Sequence, residues 1–599
     1  MPQALTENII LPETPKELQD LAEQGARSLQ NLAEIGELSI KVWQAALTGQ
    51  NDSVSPAKAL KEMNEALWSS PETLAQATQD YWLSQQKLWL ETMDRWKDGT
   101  PPAPDGRGGK RFSHPGWTEY ALFDYIKNAY LFTSDWLRDQ VSAAEGLSDA
   151  ERKKLEFYSR NYVESIHPAN FFALNPEVLE ATAEQNGENL VRGLSMMLED
   201  IERGHGKLLI RQTDMDAFEV GRDMAVTPGK VIWENNVLQL IQYAPTTEKV
   251  FAKPLLFVPP WINKFYILDL NRKKSMMQYL VAQGFSVFII SWVNPTSAQR
   301  DETWDSYAAA VLSAVEVVLK ETGQKSLNIG GYCVGGTLLG TLAAHMGKVG
   351  DKRLASATLF TSQLEFSDAG ELQIFADEET LADLEQQMPD GYLPAQTMAS
   401  AFNMLRSNDL VWSYVVNNYL LGKEPFPFDL LYWNADSTGM PAKLHLYYLR
   451  RFYMENAFAR DEFSMQGEAI GPEDIRIPLY HVATRDDHIA PADSVFRGAK
   501  MLKNAESRFI LSGSGHIAGV VNPPAAQKYQ YWTGDLTSAD SLGEWLAKAD
   551  ETRGSWWNDW AKWLKKRSGK KVQAREPGEK TGVLEDAPGR FVQDRFDLR

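Results

Sequence analysis

The run GGYCVGGT overlaps the end of the short, mostly apolar stretch SLNIGG and opens into a helix from about Gly335. Gly331-x-Cys333-x-Gly335 in that setting reads as a sharp strand-to-helix turn. Such a turn forces its central residue into strained geometry and lifts that side chain to the end of the strand. Only small neighbours let strand and helix pass closely enough to allow it. Cys333 is also the only cysteine among 599 residues. A lone free cysteine is often a small apolar filler. On this turn it reads instead as a nucleophile, because the helix that begins there aims its first N–H groups at the sulfur and favours the thiolate.

Such a turn needs a parallel sheet behind it, and the surrounding sequence supplies one. From about residue 213 onward, short apolar runs alternate with helical stretches. PLLFVPPW, FSVFIISW, SLNIGG, ASATLFTS, IPLYHVAT and SRFILSGSG read as strands, and a long amphipathic helix spans Trp304 to Glu321. Alternation of this kind predicts a mostly parallel sheet with helices on both faces, an α/β class.

A cysteine elbow on an α/β-hydrolase fold requires an acid and then a histidine downstream, each just after a strand. Eight histidines are available. LYHVATRDDHIAP puts Asp486 and Asp487 after one strand, and FILSGSGHIAG puts His516 after the last. Small, flexible residues around an imidazole suit a base facing a cleft, whereas His481 falls inside a strand and His488 follows the carboxylates. Order and spacing give Cys333, Asp487 and His516: nucleophile, orienting acid and general base. The oxyanion hole is expected from the Val334 N–H and an N–H of the loop PPWINKF, with Ile262 as the donor.

Residues 1–215 read as a mostly α-helical domain. TPKELQDLAEQGARSLQNLAEIGEL and SPETLAQATQDYWLSQQKLWLETMDRWKDG carry apolar residues at three- and four-residue intervals, with Ser70 as the N-cap of the second helix. TPPAPDGRGGKRFSHPG (100–116) reads as a linker. Residues 216–599 form the catalytic domain, interrupted over about 366–439 by acidic, aromatic and helical segments expected to be a mobile cap. GSWWNDWAKWLKK places Trp557, Trp560 and Trp563 at helical spacing, which predicts a helix packed on the core, and about 567–599 reads as an irregular tail.

The charge balance of 61 Lys and Arg against 80 Asp and Glu, −19 in all, argues against nucleic acid as a partner. One cysteine permits no intrachain disulfide and no cysteine-based metal site, and no metal site is expected. No apolar run approaches the ~20 residues of a bilayer span, so the chain reads as a soluble protein of the cytoplasm without a transmembrane segment.

GGYCVGGT, VPPWINKFYILDL, AFEVGRDMAVTPGKV, NDLVWSYVVNNYLLGKEPFPFDLLYWNADSTGMP, RDDHIAP and GSGHIAGVVNPP together resemble the polyhydroxyalkanoate synthases, in the same order and from about His167 to APGRFV near the C-terminus. Length and a helical N-terminal domain make the chain similar to the class I enzymes. The resemblance implies an acyltransferase that polymerises short-chain (R)-3-hydroxyacyl-CoA, such as (R)-3-hydroxybutyryl-CoA, into polyester through acyl-cysteine thioesters. It matches Cys333 to the acyl-carrying nucleophile, Asp487 to the catalytic aspartate and His516 to the catalytic histidine. It leaves open whether Asp487 only orients His516 or also helps to activate the 3-hydroxyl. It implies no cofactor, since CoA arrives with the substrate and leaves as product. It also implies a homodimer at the surface of polymer granules, where granule-associated proteins can bind, with the N-terminal helices serving assembly and attachment. A thiol hydrolase and a granule-coating structural protein are the rival readings.

Overall fold

The computed structural model describes residues 71–99, 108–144, 147–206 and 208–595. The helix expected before residue 50 and the Ser70 cap lie outside the described residues. The chain divides into two compact units. Among the described residues, one comprises those up to 214 with 401–426, and the other 215–400 with 427–595.

The first unit is helical. α1 (Pro71–Lys97) pairs with α2 (Ala121–Ala143), where Tyr81 and Thr133 share a hydroxyl hydrogen bond of 2.9 Å and the Tyr81 and Trp136 rings lie 5.0 Å apart. α3 (Asp149–Ser165) opens with a reciprocal cap: the Glu151 N–H donates to Ser148 Oγ while the Ser148 N–H donates to the Glu151 carboxylate. Leu137, Val141 and Leu155 then bury the α2–α3 seam. The stretch expected as a linker is structured from residue 108 on. Phe112 is buried, stacks on His167 at 4.5 Å and meets the edge of Trp117 at 4.8 Å, an aromatic anchor that Pro/Gly content does not reveal. α4 (Glu188–Arg203) holds the 401–426 excursion. Tyr419 donates to Asp200 at 2.7 Å, and Asn189 Nδ2 donates to Leu420 O at 2.8 Å.

The second unit is built on an eleven-stranded sheet. Its strands are β1 (Gly229–Glu234), β2 (Leu238–Tyr243), β3 (Leu255–Val258), β4 (Val287–Trp292), β5 (Leu327–Tyr332), β6 (Leu354–Phe360), β7 (Leu479–Thr484), β8 (Ser507–Ser512), β9 (Gln530–Thr533), β10 (Asp550–Arg553) and β11 (Glu585–Asp586). They lie side by side as β10-β9-β8-β7-β6-β5-β3-β4-β2-β1-β11. The stretch from β8 to β4 is parallel, and every pairing outside it is antiparallel. β3, β4, β5 and β7 are buried along their whole length, which is why they read as mostly apolar runs rather than alternating ones.

Helices cover both faces. α5 (Trp304–Thr322) starts at a Thr303 cap answered by Ser306 and stops at Gly323, whose φ of 66° no β-carbon favours. α6 (Val334–Val349) follows β5 directly, and α7 (Ala492–Met501) connects β7 to β8. α8 (Trp557–Lys565) buries Trp557, Trp560 and Trp563 against the sheet, and Trp560 Nε1 donates to Thr358 Oγ1 on β6 at 2.9 Å. The segment between β6 and β7 runs over 361–478 and is mostly helical to Met454, past the 439 end expected for the cap, with Tyr392–Leu393 pairing antiparallel with Met440–Pro441. The expected irregular tail is tied down by strands too short to show periodicity. β11 lines the edge of β1, Lys571–Gln573 pairs with Lys249–Phe251, and the buried Glu321 carboxylate accepts the Lys580 and Thr581 N–H groups. Among the described residues, no helix is long and apolar enough to cross a membrane.

Candidate active site

Cys333 sits between β5 and α6 with φ 52° and ψ −129°, outside the regions that side-chain-bearing residues favour. Strain of this kind costs on the order of 1–3 kcal/mol and persists only where packing over-determines it. The packing is visible at the glycines. A β-carbon on Gly335 would lie 2.4 Å from Val258 O and 2.5 Å from Pro259 O, and one on Gly331 would lie 2.5 Å from the Gly336 α-carbon. Backbone meets backbone at both places, so neither side can give way. The Cys333 N–H donates to Phe360 O at 3.0 Å, and the Cys333 carbonyl accepts from Gly336 and Thr337 as the helix closes.

The parallel register carries the other two residues to the same edge. Thr484 and Ser512, the last residues of β7 and β8, are partners, and Val482 pairs with Phe360, the neighbour of Tyr332. Asp487 follows β7 by three residues and His516 follows β8 by four. His516 Nδ1 lies 2.7 Å from Asp487 Oδ2. Since an ionised carboxylate only accepts, Nδ1 carries the proton and Nε2 is left for the sulfur. The remaining acceptor capacity of Asp487 is taken up. Thr484 Oγ1 donates to Oδ2 at 2.9 Å, and the Ile489 and Ala490 N–H groups donate to Oδ1, both at 2.9 Å. Asp486 points away, is exposed, and pairs with Arg485 at 3.2 Å.

The electrostatics follow from burial and charge. Burial opposes a charged imidazole at His516, but the Asp487 carboxylate and the Cys333 sulfur outweigh it and push the group up to about 10. Burial also pushes Asp487 up, but His516 and the two backbone donors hold it below its ordinary value of 3.8. The imidazolium therefore stabilises the fold fully below pH 6.5, and that contribution is lost as pH rises through about 10. The carboxylate contributes above pH 3.8, and its share is lost as pH falls below that value. An NMR titration of the His516 ring should show a midpoint far above 6.5, falling sharply in Asp487→Asn, where burial acts without its main counterweight. A wild-type midpoint at or below 6.5 would contradict this account.

The loop that carries His516 is fixed from behind by α8 and the residue before it. Trp556 Nε1 donates to Gly519 O at 2.8 Å and Trp557 Nε1 to Val520 O at 2.9 Å. Tyr332 stacks on the His516 ring at 5.5 Å and donates to its carbonyl at 3.1 Å. The structure thus brings Cys333, Asp487 and His516 together. It places Val334 at the first position of α6, where an N–H lacks an intrahelical acceptor. Ile262 lies in the loop after β3, whose start packs on Gly335. His481 is buried within β7, and burial holds it down at about 4, so it stays neutral.

Two residues escaped the sequence reading. Tyr448 and Tyr453, in the segment between β6 and β7, are buried close enough to Cys333 for its charge to act on both phenols. Burial first, and then neighbouring groups that include the sulfur, raise both well above the ordinary phenol value. LYYLRRFYMEN carries four aromatic residues, and nothing in it singles out these two.

Residues 108–280 match the family described as the N-terminus of poly-beta-hydroxybutyrate polymerase (PhaC), and residues 253–523 match the α/β-hydrolase fold. A poly(3-hydroxyalkanoate) polymerase subunit PhaC of Rhizobium etli is 44% identical over 97% of this chain and 93% of its own. That of Rhizobium meliloti is 46% identical over 90% of this chain and 88% of its own. That of Cupriavidus necator is 39% identical over 88% of this chain and 89% of its own. Similarity at this level along nearly the whole length leaves one conclusion: the chain belongs to the poly(3-hydroxyalkanoate) polymerase family and has an α/β-hydrolase fold.

Proposed function

We propose that this chain polymerises short-chain (R)-3-hydroxyacyl groups, delivered as CoA thioesters such as (R)-3-hydroxybutyryl-CoA, into polyester with release of CoA. The observation that carries the proposal is the 2.7 Å hydrogen bond from His516 Nδ1 to Asp487 Oδ2, which aims the other ring nitrogen at the only thiol in the chain. In the proposed cycle, His516 Nε2 takes the proton of Cys333, and the sulfur attacks the thioester carbonyl. The resulting oxyanion is stabilised by the Val334 and Ile262 N–H groups, each worth roughly 3–4 kcal/mol in such sites. The CoA sulfur leaves with the proton held by His516, and the acyl group stays on Cys333. Elongation repeats the pattern. The 3-hydroxyl of one unit gives its proton to His516 and attacks the thioester of another, so a C–S bond breaks as the ester C–O bond forms.

The CoA and Cys333 thiolates are comparable leaving groups, so acyl loading is readily reversible, whereas conversion of the thioester to an ester runs downhill. A lone cysteine also leaves no second thiol to intercept the acyl group. Water is the competitor, and a closed site suppresses it; the buried phenols of Tyr448 and Tyr453 are suited to that part. No cofactor is needed, because CoA enters with the substrate. The working form is read as a homodimer at the surface of polymer granules in the cytoplasm.

The test is incubation with (R)-3-hydroxybutyryl-CoA, following free CoA and insoluble polyester together. CoA release matched by polyester is the expected result. CoA release with free hydroxy acid and no polymer would make the protein a hydrolase.

A further inference from the structure

We infer that Lys264 and Asp436 are positioning residues for acyl transfer, an ion pair that latches the proposed oxyanion loop to the segment following residue 426. Lys264 stands two residues after Ile262, the donor assigned above, so the inference rests on that reading of the site. Its Nζ lies 2.6 Å from Asp436 Oδ1, and both side chains are almost completely buried. Tyr266 donates to the other oxygen, Oδ2, at 2.8 Å.

Neutral bonds surround the pair and tie the same two segments. Trp433 Nε1 donates to Lys264 O at 2.8 Å, Thr438 Oγ1 donates to Trp261 O at 2.7 Å, and Asn263 forms an isolated antiparallel bridge with Ser437. Four attachments thus fall within residues 261–264 on one side and 433–438 on the other. The loop has a fixed edge on the opposite flank too, since Val258 O and Pro259 O lie against Gly335 at the start of α6. Residues 260–263 therefore span two anchors, the nucleophile's helix at one end and the Lys264–Asp436 pair at the other.

A buried ion pair is an expensive way to hold a loop. Burial lowers Lys264 and raises Asp436, and each is the other's main counterweight, with Asp594 also supporting the ammonium and the Tyr266 hydroxyl and Arg595 the carboxylate. Apolar residues of the same volume often serve stability as well or better, so such a pair is more readily understood as specifying one geometry than as adding stability. The geometry at stake here is the direction of the Ile262 N–H. The two charged groups sit on opposite sides of the junction, so a shift of 433–438 moves the loop with it.

The test separates oxyanion positioning from fold and from nucleophile chemistry. Alkylation of Cys333 by iodoacetamide is a displacement at carbon and forms no tetrahedral oxyanion, whereas acylation by (R)-3-hydroxybutyryl-CoA does. In Asp436→Asn, single-turnover acylation of Cys333 should fall at least 30-fold, with alkylation unchanged within twofold and KM within threefold. Since Asp436→Asn leaves a charged lysine buried, Lys264→Met/Asp436→Leu provides a second arm. It should keep the thermal midpoint and the alkylation rate yet show the same loss of acylation. Wild-type acylation in either folded variant overturns the inference and leaves the proposed function standing. Loss of acylation and alkylation in equal proportion also overturns it, because the pair would then only hold the site together. A wild-type protein that alkylates but never acylates at Cys333 overturns the proposed function and this inference with it.

Discussion

Cys333→Ala is expected to fold normally and to transfer no acyl group. The side chain is partly exposed at the end of β5, and alanine removes only the sulfur. The strain at φ 52° is the same for either residue and is held by the packing at Gly331 and Gly335. Stability should therefore change little, while the covalent route disappears altogether. Removing the nucleophile of a comparable triad costs on the order of 10⁶ in turnover, and no other cysteine can take over. Mass spectrometry after a slow substrate should show the acyl mass on the Cys333 peptide of the wild type and nowhere in the variant. Acyl label on a different residue, or CoA release retained by the alanine protein, would refute the assignment.

Asp487→Asn is expected to slow acylation and elongation by the same factor. The carboxylate is fully buried and already accepts from His516, Thr484, Ile489 and Ala490. No acceptor site is left facing the cleft, so a substrate hydroxyl has nothing to bind there. On this geometry Asp487 is expected to act through His516, by holding the tautomer and supporting the imidazolium. Asparagine offers Nδ1 an amide that no longer demands its proton, and in a comparable triad that change costs on the order of 10⁴. Both half-reactions pass their proton through the same ring nitrogen, so both should lose in proportion. A burst of CoA at the wild-type rate with no polymer behind it would instead assign the aspartate to elongation alone. Unimpaired turnover would remove Asp487 from the machinery.

Much of this site could be read from the chain before any folding was considered, because its signals are local. A strand, a sharp turn and a helix within some twenty residues around Cys333 leave a recognisable pattern of apolar residues and glycines. The nucleophile, acid and histidine follow strands β5, β7 and β8 of the parallel sheet, whose carboxyl ends share one edge. The long strands were legible for the same reason, since burial on both faces makes them mostly apolar. Of two adjacent carboxylates the sequence reading took Asp487, and in the fold it is Asp487 that meets His516 and turns in beneath Ile489 and Ala490 while Asp486 faces Arg485.

Other parts depended on residues far apart in sequence, and no local pattern could carry them. Phe112 against His167 turns an apparent linker into packed structure. Residues 401–426 group with the helical unit through partners more than two hundred positions away, such as Tyr419 with Asp200. The tail is pinned by strands of two and three residues, too short for any alternation to be seen. Tyr448, Tyr453, Lys264 and Asp436 look like ordinary aromatic or charged positions in the chain. Their meaning comes from burial beside the site, and burial is decided by the fold as a whole.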